Sequence, residues 1–175
     1  DRLIDVQLPE RTGASLTETE EAYADAARVA RTIPGVARVS VVGGSTPMGE
    51  ASVVSVRHDG VTEAFMAGRP MPFYSVVSGG YFETLGAGIE KGRDLNNDDE
   101  LAGTRVVVVN RALAAERWPG ADPIGRCITV GSDKVCTRVV GVVENIVSVD
   151  RTDPHQPHVY GPRSHPFFAK TYPAS

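Results

Sequence analysis

The chain has 175 residues, 41% of them hydrophobic and 23% charged, with a formal net charge of −4. Those values describe one ordinary globular domain with room for a core, and they exclude a disordered chain. With no basic stripe, nucleic acid is not an expected partner.

The chain opens on residues 3–8, which alternate loosely and read as a strand. A start inside a strand, without Met, suggests a piece of a longer protein. A helix follows, with Thr17 and Glu20 spaced as a capping box. Leu16, Tyr23, Ala26, Ala27, Ala30 and Ile33 fall at helical spacing and predict one buried face, and Pro34-Gly35 ends the run. Residues 36–42 read as a strand, then 43–47 as a turn. Residues 52–57 and 62–66 read as a hairpin around Asp59-Gly60.

The second half begins with a strand at 73–77. Ser78 then offers a cap for a short helix through Tyr81, Phe82 and Leu85, stopped by Gly86. A polar stretch at 92–100 leads to the four-valine run 106–109, expected as a buried strand. Asn110 caps a helix that runs to Trp118 and stops at Pro119-Gly120. Residues 126–130 and 134–143 read as a hairpin. From Asp150 onward lie five of the twelve prolines and three of the four histidines, which predicts an extended, irregular tail. The longest wholly apolar runs, 106–109 and 139–143, fall far short of the ~20 residues that span a bilayer. Any membrane helix would lie outside this fragment.

Cys127 and Cys136 flank the hairpin turn. A two-residue turn at Gly131-Ser132 would set them directly opposite one another, where a cross-strand disulfide is geometrically reasonable. A disulfide places the domain outside the cytoplasm; two free thiols are the alternative. Asp94, Asn96, Asp98 and Glu100 alternate like the first ligands of a calcium loop. Asp99 stands where that loop needs Gly, however, and Arg105 where it needs Glu, so a solvated acidic loop leading into a helix is the better account. His155, His158 and His165, with Asp150 or Asp153, could collect a metal, but a proline-rich tail is a poor platform. Gly86, Gly88 and Gly92 miss the dinucleotide spacing, and no phosphate-binding loop or nucleophile elbow is present. No catalytic, cofactor or metal residue is assigned.

Five ordered blocks carry a resemblance. They are Val77-Ser78-Gly79-Gly80-Tyr81-Phe82-Glu83-Thr84-Leu85-Gly86, Lys91-Gly92-Arg93-Asp94, Val106-Val107-Val108-Val109-Asn110-Arg111-Ala112-Leu113-Ala114, Trp118-Pro119-Gly120-Ala121-Asp122-Pro123-Ile124-Gly125 and Val139-Val140-Gly141-Val142-Val143-Glu144-Asn145. With Ile33-Pro34-Gly35-Val36 upstream, the chain resembles the MacB-like periplasmic core domain of bacterial ABC-transporter permeases, of the FtsX-like permease superfamily. The resemblance covers about residues 15–162.

It implies an α+β fold. A porter-like lobe of mixed sheet with packed helices would take about residues 1–77 and 138–162, a small inserted α/β lobe about 78–137, and an irregular tail 163–175. The motif residues Gly79, Tyr81, Phe82, Gly92, Arg93, Asn110, Trp118, Pro119, Asp122, Pro123, Gly125 and Gly141 would be structural. The implied protein is a bacterial inner-membrane permease. This fragment would be extracytoplasmic, without cofactor or catalysis of its own. It would couple ATP hydrolysis on a separate ATP-binding subunit to substrate export or to a periplasmic adaptor or other extracytoplasmic partner. A ligand-sensing domain of a resistance-type permease is the alternative, and a metal enzyme built on the histidine tail is a third. Family domains continue past Tyr160-Gly161-Pro162 with a further strand–helix–strand unit that 163–175 lacks. An exposed edge or apolar face, and with it a homodimer, is therefore expected.

Overall fold

The computed structural model describes residues 3–8, 13, 15–44, 52–58, 69, 71–101, 104–146 and 155–171. Among them, in chain order, are α1 (Leu16–Ala30), β1 (Val42–Gly44), β2 (Val56–His58), β3 (Phe73–Val77), α2 (Tyr81–Leu85), β4 (Ile89–Gly92), α3 (Asn97–Leu101), β5 (Val106–Asn110), α4 (Arg111–Arg117), β6 (Cys127–Val130), β7 (Thr137–Val143), β8 (His158–Gly161) and α5 (Pro166–Thr171). The strands form one mixed sheet in the order β1-β3-β8-β5-β7-β6-β2, with β4 pairing β7 off that path. The fold is α+β, as the sequence implied.

Pairs β3–β8 and β5–β7 are parallel, and the remaining pairs are antiparallel. Strand β5, from the 78–137 segment, lies between β8 and β7, which come from the flanking segment. One sheet therefore joins the two stretches assigned to separate lobes.

Alternation along the strands sends side chains to two cores. Tyr74, Val76, Val107, Val109, Val139 and Val159 meet Leu113 of α4 and Phe168 of α5 on one face. Val77, Val108, Val143 and Tyr160 meet Tyr81 and Phe82 of α2 and Leu95 on the other. Strand β5 is buried on both faces, which is why it reads as an unbroken valine run.

Several local expectations are corrected. Residues 3–8 pair with no strand among the described residues; Ile4 and Val6 are exposed, and alternation without a pairing partner makes no sheet. The cap of α1 is Ser15 with Glu18, two residues before the expected pair. The Ser15 hydroxyl accepts from the Glu18 N–H, and the Ser15 N–H donates to the Glu18 carboxylate at 2.8 Å. The helix stops at Ala30, ahead of Pro34-Gly35, and of its expected core face only Ala27 is fully buried while Ile33 is exposed. The side chain of Leu16 lies outside the described residues. Residues 36–40 are irregular and only Val42–Gly44 pairs, with β3. The second arm of the 52–66 hairpin lies outside the described residues; among the described residues β2 pairs with β6.

The tail carries a second correction. It turns back through His165, which is fully buried, into α5, where Phe168 is only 1% exposed. Pro166 at the first helical position lacks only an N–H that would be orphaned anyway. Burying one such ring stabilises the fold by about 2–3 kcal/mol, enough to order a six-residue helix that could not stand alone.

Candidate functional site

Four of the five blocks meet at β7. Its first residues pair with β6 and its last with β4, while β5 runs along the other side. Between them is a handover. The Gly125 N–H donates to the Val139 carbonyl at 2.8 Å, and the Val139 N–H donates to the Arg126 carbonyl at 2.9 Å. One residue later the Val140 carbonyl accepts instead from the Arg93 N–H at 2.9 Å. Val140 is the extra residue of a bulge, since Val107 pairs with Val139 but Val108 with Gly141.

This crowding explains two glycines. A Cβ on Gly92, whose φ is +69°, would lie 2.1 Å from the Val140 carbonyl oxygen. A Cβ on Gly141 would lie 2.1 Å from the Arg93 carbonyl oxygen. Backbone meets backbone there, so no side chain fits. Upstream, Asp122 accepts from the Ile124 N–H at 3.2 Å, and Pro123 is buried, which turns the chain into Gly125.

Arg93 then grips Asp99 through two nitrogens, at 2.6 and 2.9 Å. Asp99 is buried, and its bond to the Arg93 guanidinium holds its carboxyl below the usual carboxylate range. Asn96 caps α3 by accepting from the Asp98 and Asp99 N–H groups, and the Asn96 N–H returns a bond to Asp99. Glu100 accepts from the Arg163 and Ser164 N–H groups. The acidic stretch is thus a capping and docking device: Asp99 is not solvated, and the carboxylates of Asp94, Asp99 and Glu100 bond to protein groups. Burial raises the Asp94 carboxyl above its ordinary range.

Asn110 joins three elements. Its Oδ1 accepts from the Leu113 N–H of α4 at 3.0 Å and from the His158 N–H of β8 at 2.9 Å. Its Nδ2 donates to the Gln156 carbonyl at 2.8 Å. Asn145, at the end of the last block, accepts from the Ala112 N–H at 2.9 Å and so caps the same helix. Trp118 is buried where α4 ends, beside His58 at 5.5 Å between ring centres, and the adjacent Pro119 is exposed. Tyr81 and Phe82 pack on Tyr160, and Gly79 approaches Asn96 and Asn97 closely. The cap of α2 is Gly80, not Ser78, whose hydroxyl accepts from the Val41 N–H instead.

The three tail histidines do not gather. His155 is exposed, His158 lies against Ser75 at 2.8 Å, and His165 bonds Thr137 at 2.7 Å inside the core. Among the described residues no group of three or more His, Cys, Asp or Glu side chains is placed to hold a metal ion. Burial, and secondarily Arg105, lowers the His165 pKa to about 4 against a smaller opposing pull from Asp133. The ring is therefore neutral near neutrality.

Cys127 and Cys136 form a disulfide with 5.3 Å between Cα atoms. The expected register is corrected, because Cys127 stands opposite Arg138 and not Cys136. The Asp133 N–H does close a turn on the Val130 carbonyl at 3.1 Å. Asp133 then accepts from the Val135 N–H and pairs with Arg105, which holds extra residues out of the ladder and moves the register by two. Phe168, Thr137 and the Arg105–Asp133 pair were missed in the sequence, and His165 was read there only as a metal candidate in a loose tail; Pro166-Phe167-Phe168 was the available signal.

The arrangement defines a class first: an α+β domain whose distinctive residues are spent on holding one bulged sheet junction together. A family profile described as MacB-like periplasmic core domain matches residues 1–173, and the chain belongs to that family. The periplasmic region of MacB from Actinobacillus actinomycetemcomitans shares the fold at a TM-score of 0.59 and 17% identity, over 87% of this chain and 58% of that one. The extracellular domain of the ABC-type transporter YknZ from Gram-positive bacteria does so at 0.54 and 17%, over 84% and 64%. The chain thus spans less than two thirds of either structure. No curated protein matches it in sequence. Domains of this family are extracytoplasmic parts of inner-membrane permeases. Among the described residues no helix is long and apolar enough to cross a membrane.

Proposed function

We propose that this domain is a non-catalytic, extracytoplasmic coupling module of an ABC-transporter permease. The observation that carries the reading is the family match over residues 1–173, together with motif residues engaged in sheet junction, helix caps and core contacts. A module that passes on motion needs a stiff frame, and β5, buried on both faces and tied by Asn110 to α4 and β8, is suited to that. ATP is hydrolysed on a separate cytoplasmic subunit. The domain relays the resulting movement to exported substrate or to an extracytoplasmic partner such as an adaptor.

The test uses the full-length permease with its ATPase in proteoliposomes. Replacing this domain with a short flexible linker should leave basal ATP hydrolysis intact and abolish vectorial output. Transport that continues without the domain would overturn the proposal, as would catalytic turnover by the isolated domain.

A further inference from the structure

We propose that the Cys127–Cys136 disulfide is a latch for the C-terminal helix α5, so that thiol–disulfide exchange at this bond sets whether α5 stays docked on the sheet. The bond closes the connection between β6 and β7, and that connection forms one part of the seat of α5, the other being Tyr74 and Gly161 under Phe168. Gly131, at the turn, carries the ring of Phe167: a Cβ there would lie 1.9 Å from the ring carbon Cε2, so aromatic face meets bare backbone. Thr137, one residue past Cys136, bonds the buried His165 Nε2 at 2.7 Å. His165 Nδ1 accepts from the Phe167 N–H at 3.2 Å, so one neutral tautomer, with its proton on Nε2, satisfies both partners.

The returning arm of this connection has little else to hold it. The β6–β7 pairing is given by Cys127↔Arg138 and Ile128↔Thr137, so the arm before Thr137 lies outside the ladder. Ser132, Lys134, Val135 and Cys136 are exposed. What remains is the Asp133–Arg105 pair, the Asp133 N–H bond to the Val130 carbonyl, the Val135 N–H bond to Asp133, and the bonds between Gly131 and Ser55. One part-buried ion pair and single turn bonds still leave a short loop free to rearrange, whereas a covalent closure removes most of the alternatives open to it.

The chemistry needs a dithiol, either a protein with paired cysteines or a small molecule. Its thiolate attacks Sγ of exposed Cys136, the Sγ–Sγ bond breaks, and Cys127 leaves as thiolate. The second thiol of the reductant then attacks the mixed disulfide and releases Cys136. The domain gains two electrons and two protons, and the reductant ends as a disulfide. With the arm freed, Phe167 and His165 lose their fixed seat, and α5 lifts from the ring of Tyr74, which Phe168 now stacks at 5.4 Å.

Hydrogen–deuterium exchange resolves the idea in the full chain, comparing oxidised protein, protein reduced with dithiothreitol, and the Cys127→Ser/Cys136→Ser variant. Reduction and double substitution should each speed exchange of the α5 amides roughly 10- to 100-fold, with β5 and α4 amides unchanged. Phe167→Ala with the disulfide intact should free α5 to a similar degree while exchange in residues 131–136 stays as in the oxidised wild type. If the double variant does not fold, the reduced wild type carries the test. Faster exchange in 131–136 alone, with α5 unmoved, would overturn the proposal. So would an equal rise in β5, which would make the bond a general staple.

Discussion

Helix α1 forms by rules local to its own sequence, whereas the junction on β7 is assembled from stretches 13 (Arg126 to Val139) to 54 (Ile89 to Val143) residues apart in the chain. In α1, Ser15 and Glu18 satisfy each other's backbone groups, and Asp25 pairs with Arg28 one turn away. Among its described apolar side chains only Ala27 is buried; Val29 stays exposed, as does Ile33 just past the end of the helix. At the junction, Gly92, Arg93, Gly125, Val140 and Gly141 have no local preference for what they do, and each is fixed by a residue distant in sequence. Capping and spacing therefore establish that a helix exists, but not what it packs against. Glycines in fixed blocks mark places where distant backbones touch.

The sharpest way to break this contrast is to crowd the junction. Gly141→Ala should cost about 3 kcal/mol or more, because the new methyl meets a carbonyl and not a movable side chain. The same substitution at Gly92 adds a left-handed backbone conformation to the clash. Urea unfolding monitored at Trp118 reads both.

Acid should act next. The unfolded chain binds a proton on His165 near its ordinary 6.5, the folded chain only at about 4. Across that window the unfolded state holds more protons, so stability falls as pH drops from 6.5 towards 4, by about 3 kcal/mol in all. Asp99 and Asp133, held low by Arg93 and Arg105, add to the loss only below the ordinary carboxylate range. Melting temperature across pH 7 to 4 should show the decline, and His165→Gln should flatten it. An unchanged slope in that variant would assign the acid sensitivity elsewhere.

A smaller effect is expected from Asp99→Ala, about 2 kcal/mol. It removes the Arg93 pair and the reciprocal bond from the Asn96 N–H together, but leaves the Asn96 cap in place, and Arg93 is half exposed and recovers water. Smallest of all, Val29→Ser or Ile33→Ser should shift stability by no more than about 0.5 kcal/mol. A large loss there would show that α1 packs more tightly than its exposure indicates.

What was legible in the sequence follows the same division. The β5 run, the Asn110 cap and the Gly86 stop each depend on one residue and its neighbours, and all three stand. The β6–β7 register did not, because it depends on Asp133 reaching Arg105, 28 residues away. Nor did the tail: Pro166-Phe167-Phe168 is too short for periodicity, and its order comes from Gly131, Thr137 and Gly161. The acidic stretch misled in a third way. Alternating carboxylates suit calcium, yet the Asn96–Asp99 spacing is equally a capping box, and Arg93 decides between them.

Asn110→Ala tests most directly whether the family blocks are a frame. It removes three hydrogen bonds linking β5, α4 and the approach to β8, while leaving the surface unchanged because the side chain is buried. Equilibrium urea unfolding of the variant beside wild type should show a loss of about 2–3 kcal/mol at an unchanged slope. A wild-type unfolding midpoint would contradict the account and make Asn110 a residue kept for something other than the fold.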